Sequence, residues 1–284
     1  MELSDLKLFI CTAEEASITR AAAVLGYVQS NLTARIRKLE AELGTALFHR
    51  LARGVMLTEK GQAFLEYAKT IVNLSDEAVR VVQDTDFPSG SLTIGVAETV
   101  TCGNFISVLS EFQTQYPDVT VSIKTGVPDE LMRLLKNHKL DGAFIIGDYD
   151  VSHFEQEYEL ELELIMLGGQ ALGQEPPLDK MRWAVSPSGC PFRSVLEKWL
   201  AASGLELTNV IEISSLETLL SCVRSGLAYT ILPSYVKKGE YASLHTCPIP
   251  EAYRKSSASF IRNKNVYTTK AFQAFSEVIR HRGL

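Results

Sequence analysis

The chain has 284 residues, enough for two domains, with 46% apolar and 22% charged residues, an ordinary globular balance. No run of about 18 apolar residues occurs, which excludes a hydrophobic membrane helix, and MELSDLKLF lacks the basic-then-apolar order of a secretory leader, so a cytoplasmic location without membrane partners is expected. Cys11, Cys102, Cys190, Cys222 and Cys247 are odd in number and never form C-x-x-C, which argues against a disulfide framework or thiolate zinc site; the net charge of −6 does not by itself suggest nucleic acid.

Leu3, Leu6, Phe9, Ile10 and Ala13 recur at helical spacing and predict a first amphipathic helix. Ser17 suits the cap of a second helix over Ile18 to Leu25 that buries Ile18, Ala21, Ala22 and Leu25, and Gly26 suits its end. A third helix is expected over Gln29 to Leu43, with Leu32, Ile36, Leu39 and Leu43 as its buried stripe. Ser30, Ala34, Arg37 and Ala41 then face the other way, with Gln29, Asn31, Thr33 and Arg35 on the flanks. Gln and Asn can bond an adenine edge, Arg can bond guanine, and Ala or Thr can touch a thymine methyl. A solvated polar face is the plainer reading of such a helix alone; the preceding helix and break favour a DNA-reading element.

Two short strands, Leu47 to Arg50 and Val55 to Leu57, flank a turn at Arg53-Gly54, predicting a wing whose Arg50 and Arg53 meet the DNA backbone or minor groove. Between Gln29 and Lys60 the basic residues Arg35, Arg37, Lys38, Arg50, Arg53 and Lys60 outnumber Glu40, Glu42 and Glu59, so an acidic chain carries a local basic patch. Thr58 is a good cap for a fourth helix, Glu59 to Gln83, of roughly 38 Å. Phe64, Tyr67, Ile71, Leu74, Ala78 and Val81 form a heptad-like seam along it, which suggests a dimerising linker. The stretch from Asp84 to Gly90, DTDFPSG, breaks the periodicity and marks a domain boundary.

Beyond it strands and helices alternate. Strands are expected at Leu92 to Val96, Val119 to Lys124 and Gly142 to Ile146, with helices at Phe105 to Tyr116 and Glu130 to Asn137. The pattern restarts with strands at Trp183 to Val185, Val210 to Ile213 and Tyr229 to Leu232, around helices at Phe192 to Ser203 and Leu216 to Ser225. A strand over Ser257 to Arg262 and a helix over Thr268 to Arg280 close the chain. This order implies an α/β unit with a parallel, doubly wound sheet, in two lobes, with ligands near helix N-termini at the strands' carboxyl ends. No catalytic constellation emerges. His49, His138, His153, His245 and His281 lack metal-ligand spacing, and neither G-x-S-x-G nor a phosphate loop occurs, so no enzyme, metal or cofactor is expected.

ITRAAAVLGYVQSNLTARIRKLEAELGTALFHRLARGVMLTEKG resembles the winged helix-turn-helix signature of the LysR-type transcriptional regulators, and SGCPFRSVLEKWL and EISSLETLLSCVRSGLAYTILP resemble their effector domain. The resemblance covers essentially the whole chain. It implies a winged helix-turn-helix over residues 1–58, a linker helix and hinge over 59–90, and a periplasmic-binding-protein-like effector domain over 91–284. Its first subdomain is placed at about 91–160 plus 247–284, its second at about 161–246. It also implies double-stranded DNA, a small-molecule effector, a homodimer or homotetramer, and RNA polymerase as partners. The DNA-contact candidates are Gln29, Ser30, Asn31, Thr33, Ala34, Arg35, Arg37, Lys38, Arg50 and Arg53. The family commonly has a small hydroxyl residue where Val28 stands, and often Pro where Ser30 stands; Val28 cannot cap, so the helix start is expected to shift toward Ser30 or to be capped by water.

By the same resemblance the effector site comprises Glu98, Thr99 and Thr101, Ser188 and Cys190, Ser214 and Ser215, with Thr125 and Gly126 in the wall. Hydroxyls and free N–H groups at helix starts suit a carboxylate or other small anion, whereas Glu98 in the cleft would repel one or pair with an amine; both remain open. Ordinary helix capping explains any one of these residues equally well. Two other readings stand beside this one: redox sensing through Cys102 and Cys190, and a solute-binding protein without DNA activity, which would need no helix-turn-helix, wing or seam.

Overall fold

A computed structural model describes residues 1–51, 54–83, 85–170, 177–264 and 266–283, apart from the side chain of Arg80. The chain divides into two compact units, Met1–Gln83 and Asp84–Leu284.

The first unit opens with α1 (Leu3–Glu15), α2 (Ile18–Leu25) and α3 (Gln29–Leu43). Leu6, Leu8, Phe9 and Thr12 turn one face of α1 into the core. Ser17 caps α2, its hydroxyl accepting from Arg20 N at 3.3 Å, and Gly26 ends it in the left-handed region at φ 70°. In α3, Leu32, Ile36 and Leu39 are buried, but Leu43 is 37% exposed because the last turn runs past the packed bundle. The helix begins at Gln29 with Val28 as an uncapped N-cap residue, so the expected shift of its start toward Ser30 does not occur.

The wing consists of β1 (Phe48–Arg50) paired antiparallel with β2 (Val55–Leu57). Glu40 of α3 fixes its entry, accepting from Leu47 N at 2.8 Å and Phe48 N at 3.1 Å. At its other end Val55 N donates to Ala16 O at 3.0 Å. Gly54, at φ 92°, lies so close that a Cβ there would stand 2.4 Å from the same carbonyl oxygen.

Next comes α4 (Glu59–Gln83), capped by Thr58, whose Oγ1 accepts from Gly61 N at 2.9 Å. It carries two apolar faces. Leu65, Ala68 and Val72 are buried in the unit's core, while Phe64 stacks tilted against Phe9 at 5.2 Å. Tyr67, Ile71 and Leu74 stay exposed along the adjacent face.

The second unit begins with β3 (Gly90–Val96), the short α5 (Glu98–Thr101), α6 (Phe105–Gln115), β4 (Val119–Thr125), α7 (Pro128–Lys136) and β5 (Gly142–Ile146). The strand β6 (Phe154–Gly168) follows, fifteen residues long and beyond the strands expected from periodicity. Then come β7 (Trp183–Val185), α8 (Pro191–Ala202), β8 (Val210–Glu212), α9 (Leu216–Arg224) and β9 (Thr230–Pro233). The chain closes with β10 (His245–Cys247), α10 (Glu251–Arg254), β11 (Lys255–Asn263) and α11 (Lys270–Arg282).

The sheet corrects the expectation of an all-parallel arrangement. Strands β4, β3 and β5 are parallel, but β11 joins β5 antiparallel and β6 joins β11 antiparallel. The distal part of β6 pairs antiparallel with β9 and β10, so one long strand runs from one half of the unit into the other. The expected subdomain boundary at 160–161 falls inside this strand. Both faces of β5 are covered: Phe144 and Ile146 join the main core, while Ala143 and Ile145 pack with Leu131 and Leu135 of α7.

Candidate nucleic-acid interface and ligand cleft

The outer face of α3 presents Gln29, Ser30, Asn31, Ala34, Arg37 and Lys38 to solvent, opposite the buried Leu32, Ile36 and Leu39. Lys38 lies 3.9 Å from Glu42, one turn on. Thr33 is half-buried and its hydroxyl donates to Gln29 O at 2.8 Å. Arg50 is exposed on the wing; Arg53, expected at its tip, lies outside the described residues.

Arg35 differs from its neighbours. Its Nε donates to Asp5 Oδ1 at 2.8 Å and its Nη2 to Ser4 Oγ at 2.6 Å, with Glu2 Oε2 at 3.3 Å. The guanidinium thus ties α3 to the start of α1 instead of standing free for a base. Burial disfavours ionised Asp5, but the Glu2 N–H and the Arg35 guanidinium outweigh it, and the carboxyl titrates below its ordinary range. Three exposed apolar side chains that periodicity did not single out flank the Gly26 break between α2 and α3: Val24, Tyr27 and Val28, the last 71% exposed. Their signal was present as apolar residues beside a glycine break.

In the second unit a cleft of about 300 Å³ opens among the carboxyl ends of β3, β4 and β5 and the starts of α7, α8 and α9. Of the expected residues Glu98, Thr99, Thr125, Gly126, Cys190 and Ser214 line it. Thr101, Ser188 and Ser215 are not among its lining. Thr101 Oγ1 donates to Glu98 O at 2.6 Å, and Ser215 caps α9, accepting from Thr218 N at 3.5 Å. Both hydroxyls serve local backbone, the plain capping that competes with any ligand role. Sequence reasoning missed Glu130, Phe192 and Leu216, which the fold brings to the same cleft from three different helices.

Glu98 reaches across this cleft. Its Oε2 accepts from Leu216 N at 2.9 Å, the first residue of α9. Thr99 is 7% exposed and its Oγ1 has no hydrogen-bond partner among the described residues. The Tyr235 hydroxyl is likewise buried and unpaired; burial pushes its pKa up, and the nearby Thr99 hydroxyl offsets this in part without meeting hydrogen-bond geometry. Burial, and then the Glu98 charge, push the Cys102 thiol up as well, which disfavours its thiolate.

Two family models match the chain: "Bacterial regulatory helix-turn-helix protein, lysR family" over residues 3–62 and "LysR substrate binding domain" over residues 85–283. The chain belongs to the LysR family. It is a LysR-type transcriptional regulator with a helix-turn-helix DNA-binding unit and an effector-binding domain. This LysR regulator is 38% identical over 283 residues to the HTH-type transcriptional regulator SoxR of Arthrobacter sp. (strain TE1826), covering 99% of this chain and 97% of that one. It is also 38% identical to the HTH-type transcriptional regulator CzcR of Bacillus anthracis, over 98% of this chain and 97% of that one. Its fold matches the full-length regulator CbnR solved with its target DNA, at TM-score 0.71, 22% identity and 99% coverage of both chains. Full-length BenM matches at TM-score 0.56 and 21% identity, over 99% of this chain and 96% of that one.

Proposed function

We propose that this LysR regulator reads its operator with Gln29, Ser30, Asn31, Ala34 and Arg37, while Lys38 and the wing's Arg50 and Arg53 meet phosphates. The observation that carries this reading is the α3 face itself: hydrogen-bonding side chains stand exposed on one side, and the buried stripe fixes the other. Thr33 contributes its methyl. Arg35 acts as a positioning residue, because its guanidinium is held by Asp5, Ser4 and Glu2. Val28 supplies an apolar contact to sugar or a thymine methyl where a capping hydroxyl would otherwise sit.

The organisation that goes with this reading is the winged helix-turn-helix of residues 1–58, the linker of 59–90 and the effector domain of 91–284. The exposed Tyr67, Ile71 and Leu74 face of α4, continued by Ala78, pairs copies of the chain into a homo-oligomer, dimer or tetramer. Such a pair spans two half-sites separated by multiples of about 34 Å. The protein acts in the cytoplasm, on double-stranded DNA and with RNA polymerase at its promoters, and carries out no catalytic step.

The cleft of the second unit holds a small-molecule effector. Binding there biases one arrangement of the domain over another and so changes operator engagement, a coupling of about 1–3 kcal/mol in typical systems. The redox reading loses support at Cys102, whose thiolate is disfavoured by burial and by the Glu98 charge.

Selection of bound sequences from a random DNA pool tests the base-reading assignment. Asn31→Ala and Arg37→Ala each relax preference at one position and cost about 1–3 kcal/mol there, whereas Arg35→Ala lowers stability without changing which bases are preferred. Unchanged selectivity in both Asn31→Ala and Arg37→Ala would remove the assignment.

A further inference from the structure

The charge of the cleft points to the class of ligand it takes. Its lining contains two ionisable carboxylates, Glu98 and Glu130, and no Lys, Arg or His. No cation among the described residues forms an ion pair with either. Glu98 is held in place, because its Oε2 accepts from Leu216 N at 2.9 Å. Glu130, in the first turns of α7, stands beside Gly126 at the end of β4: a Cβ on Gly126 would stand 3.1 Å from its Oε2.

This arrangement occupies one of the helix starts at which an anion is expected, that of α9. The free N–H groups at the start of the nine-residue α9 are what would receive a carboxylate. Leu216 N already donates to Glu98, and Thr218 N donates to Ser215. An anionic ligand at the start of α9 would have to displace the Glu98 carboxylate, and anywhere in the cleft it would find two carboxylates and no Lys, Arg or His in the lining. A cation meets the reverse situation. Two carboxylates of the lining are available to it, one of them preorganised by the Leu216 N–H. Phe192, Val127, Leu216 and Leu232 supply apolar surface for the rest of the molecule.

We propose that the cleft takes a compact organic amine, its ammonium group bound between Glu98 and Glu130 and its apolar body against Phe192 and Leu216. This rests on the reading of the cleft as the effector site and names the chemistry of that site. It also gives the ligand a lever. Glu98 follows β3 and Leu216 begins α9, so a cation on Glu98 competes for the same carboxylate that joins two walls of the cleft.

Three probes of nearly one shape test this on the full chain: benzylamine, which is an ammonium at pH 7, neutral benzyl alcohol, and benzoate. Calorimetric titration gives affinities, and hydrogen exchange of peptides covering residues 97–102 and 213–219 locates binding. Benzylamine is expected to bind about tenfold more tightly than either other probe, with protection of both peptides. Glu98→Gln and Glu130→Gln should each weaken it about threefold, and the double variant about tenfold, leaving benzyl alcohol unaffected. Benzoate binding more tightly than benzylamine, with protection of the same peptides, would overturn the cationic assignment and leave the cleft an effector site. An unchanged benzylamine affinity in the double variant would also overturn it. Protection by none of the three would overturn this proposal and count against the cleft reading as well.

Discussion

Replacing Asp5 by asparagine tests whether the DNA-reading helix is held by a charge pair at its back. The Asp5 carboxylate is almost fully buried, and it accepts from Glu2 N at 2.9 Å and from Arg35 at 2.8 Å. Removing one partner of a buried pair costs about 3–5 kcal/mol when the other is left stranded. Here Arg35 keeps Ser4 and Glu2 and has 23% of its side chain exposed, so the cost falls toward about 2 kcal/mol. For a unit of this size that corresponds to a midpoint lower by about 8–16 °C. Urea denaturation of the full chain, with hydrogen exchange read on peptides from α1 and α3, reports the unit by itself. A double-mutant cycle with Arg35→Met should return a coupling of at least about 1 kcal/mol.

The pH dependence has a definite sign. The folded-state pKa of Asp5 lies below its unfolded value, so its stabilisation is present above about pH 4 and is lost as pH falls through the folded value. Asp5→Asn should flatten that acid limb. A stability change under about 0.5 kcal/mol, or an unaltered acid limb, would refute the argument.

Three further outcomes follow from other parts of the molecule. Gly54→Ala forces a Cβ against Ala16 O and a left-handed φ on alanine, so it should cost at least about 1 kcal/mol and weaken DNA binding through the wing; equal stability and affinity would contradict this. Leu74→Asp places a charge on the exposed α4 face and should shift sedimentation toward smaller species, with little change in the folding of the unit's own core. Cys102, its thiolate disfavoured, should be alkylated at pH 8 more slowly than a free cysteine, as peptide mapping after iodoacetamide treatment would measure.

The first unit was legible because its signals are local. Ser17, Gly26 and Thr58 mark element ends within a residue or two, and Leu32, Ile36 and Leu39 repeat at helical spacing. What escaped was set by distance in sequence. Arg35 reads as a base-proximal cation until the fold brings Asp5 to it from thirty positions away, and Glu98 meets Leu216 across 118 positions. The second face of α4, Leu65, Ala68 and Val72, was hidden by the more regular heptad beside it. The long strand β6 carries a local signal of its own: in FEQEYELELELIML glutamates alternate with mostly apolar side chains at the period of a strand. Its Glu155 and Glu157 pair with Arg262 of β11, which explains a charge run that composition alone would give to a loop. Antiparallel pairing around it could not be inferred from an order of strands and helices that otherwise suits a parallel sheet.

The central claim is that an acidic chain binds DNA through one local basic face at its N-terminus. Operator affinity measured by fluorescence anisotropy between 50 and 200 mM salt, on the full chain and on a chain lacking residues 1–88, tests it most directly. The full chain should lose affinity steeply, by orders of magnitude if six or more phosphates are neutralised, and the truncated chain should not bind at all. A flat salt dependence, or operator binding retained after truncation, would contradict it.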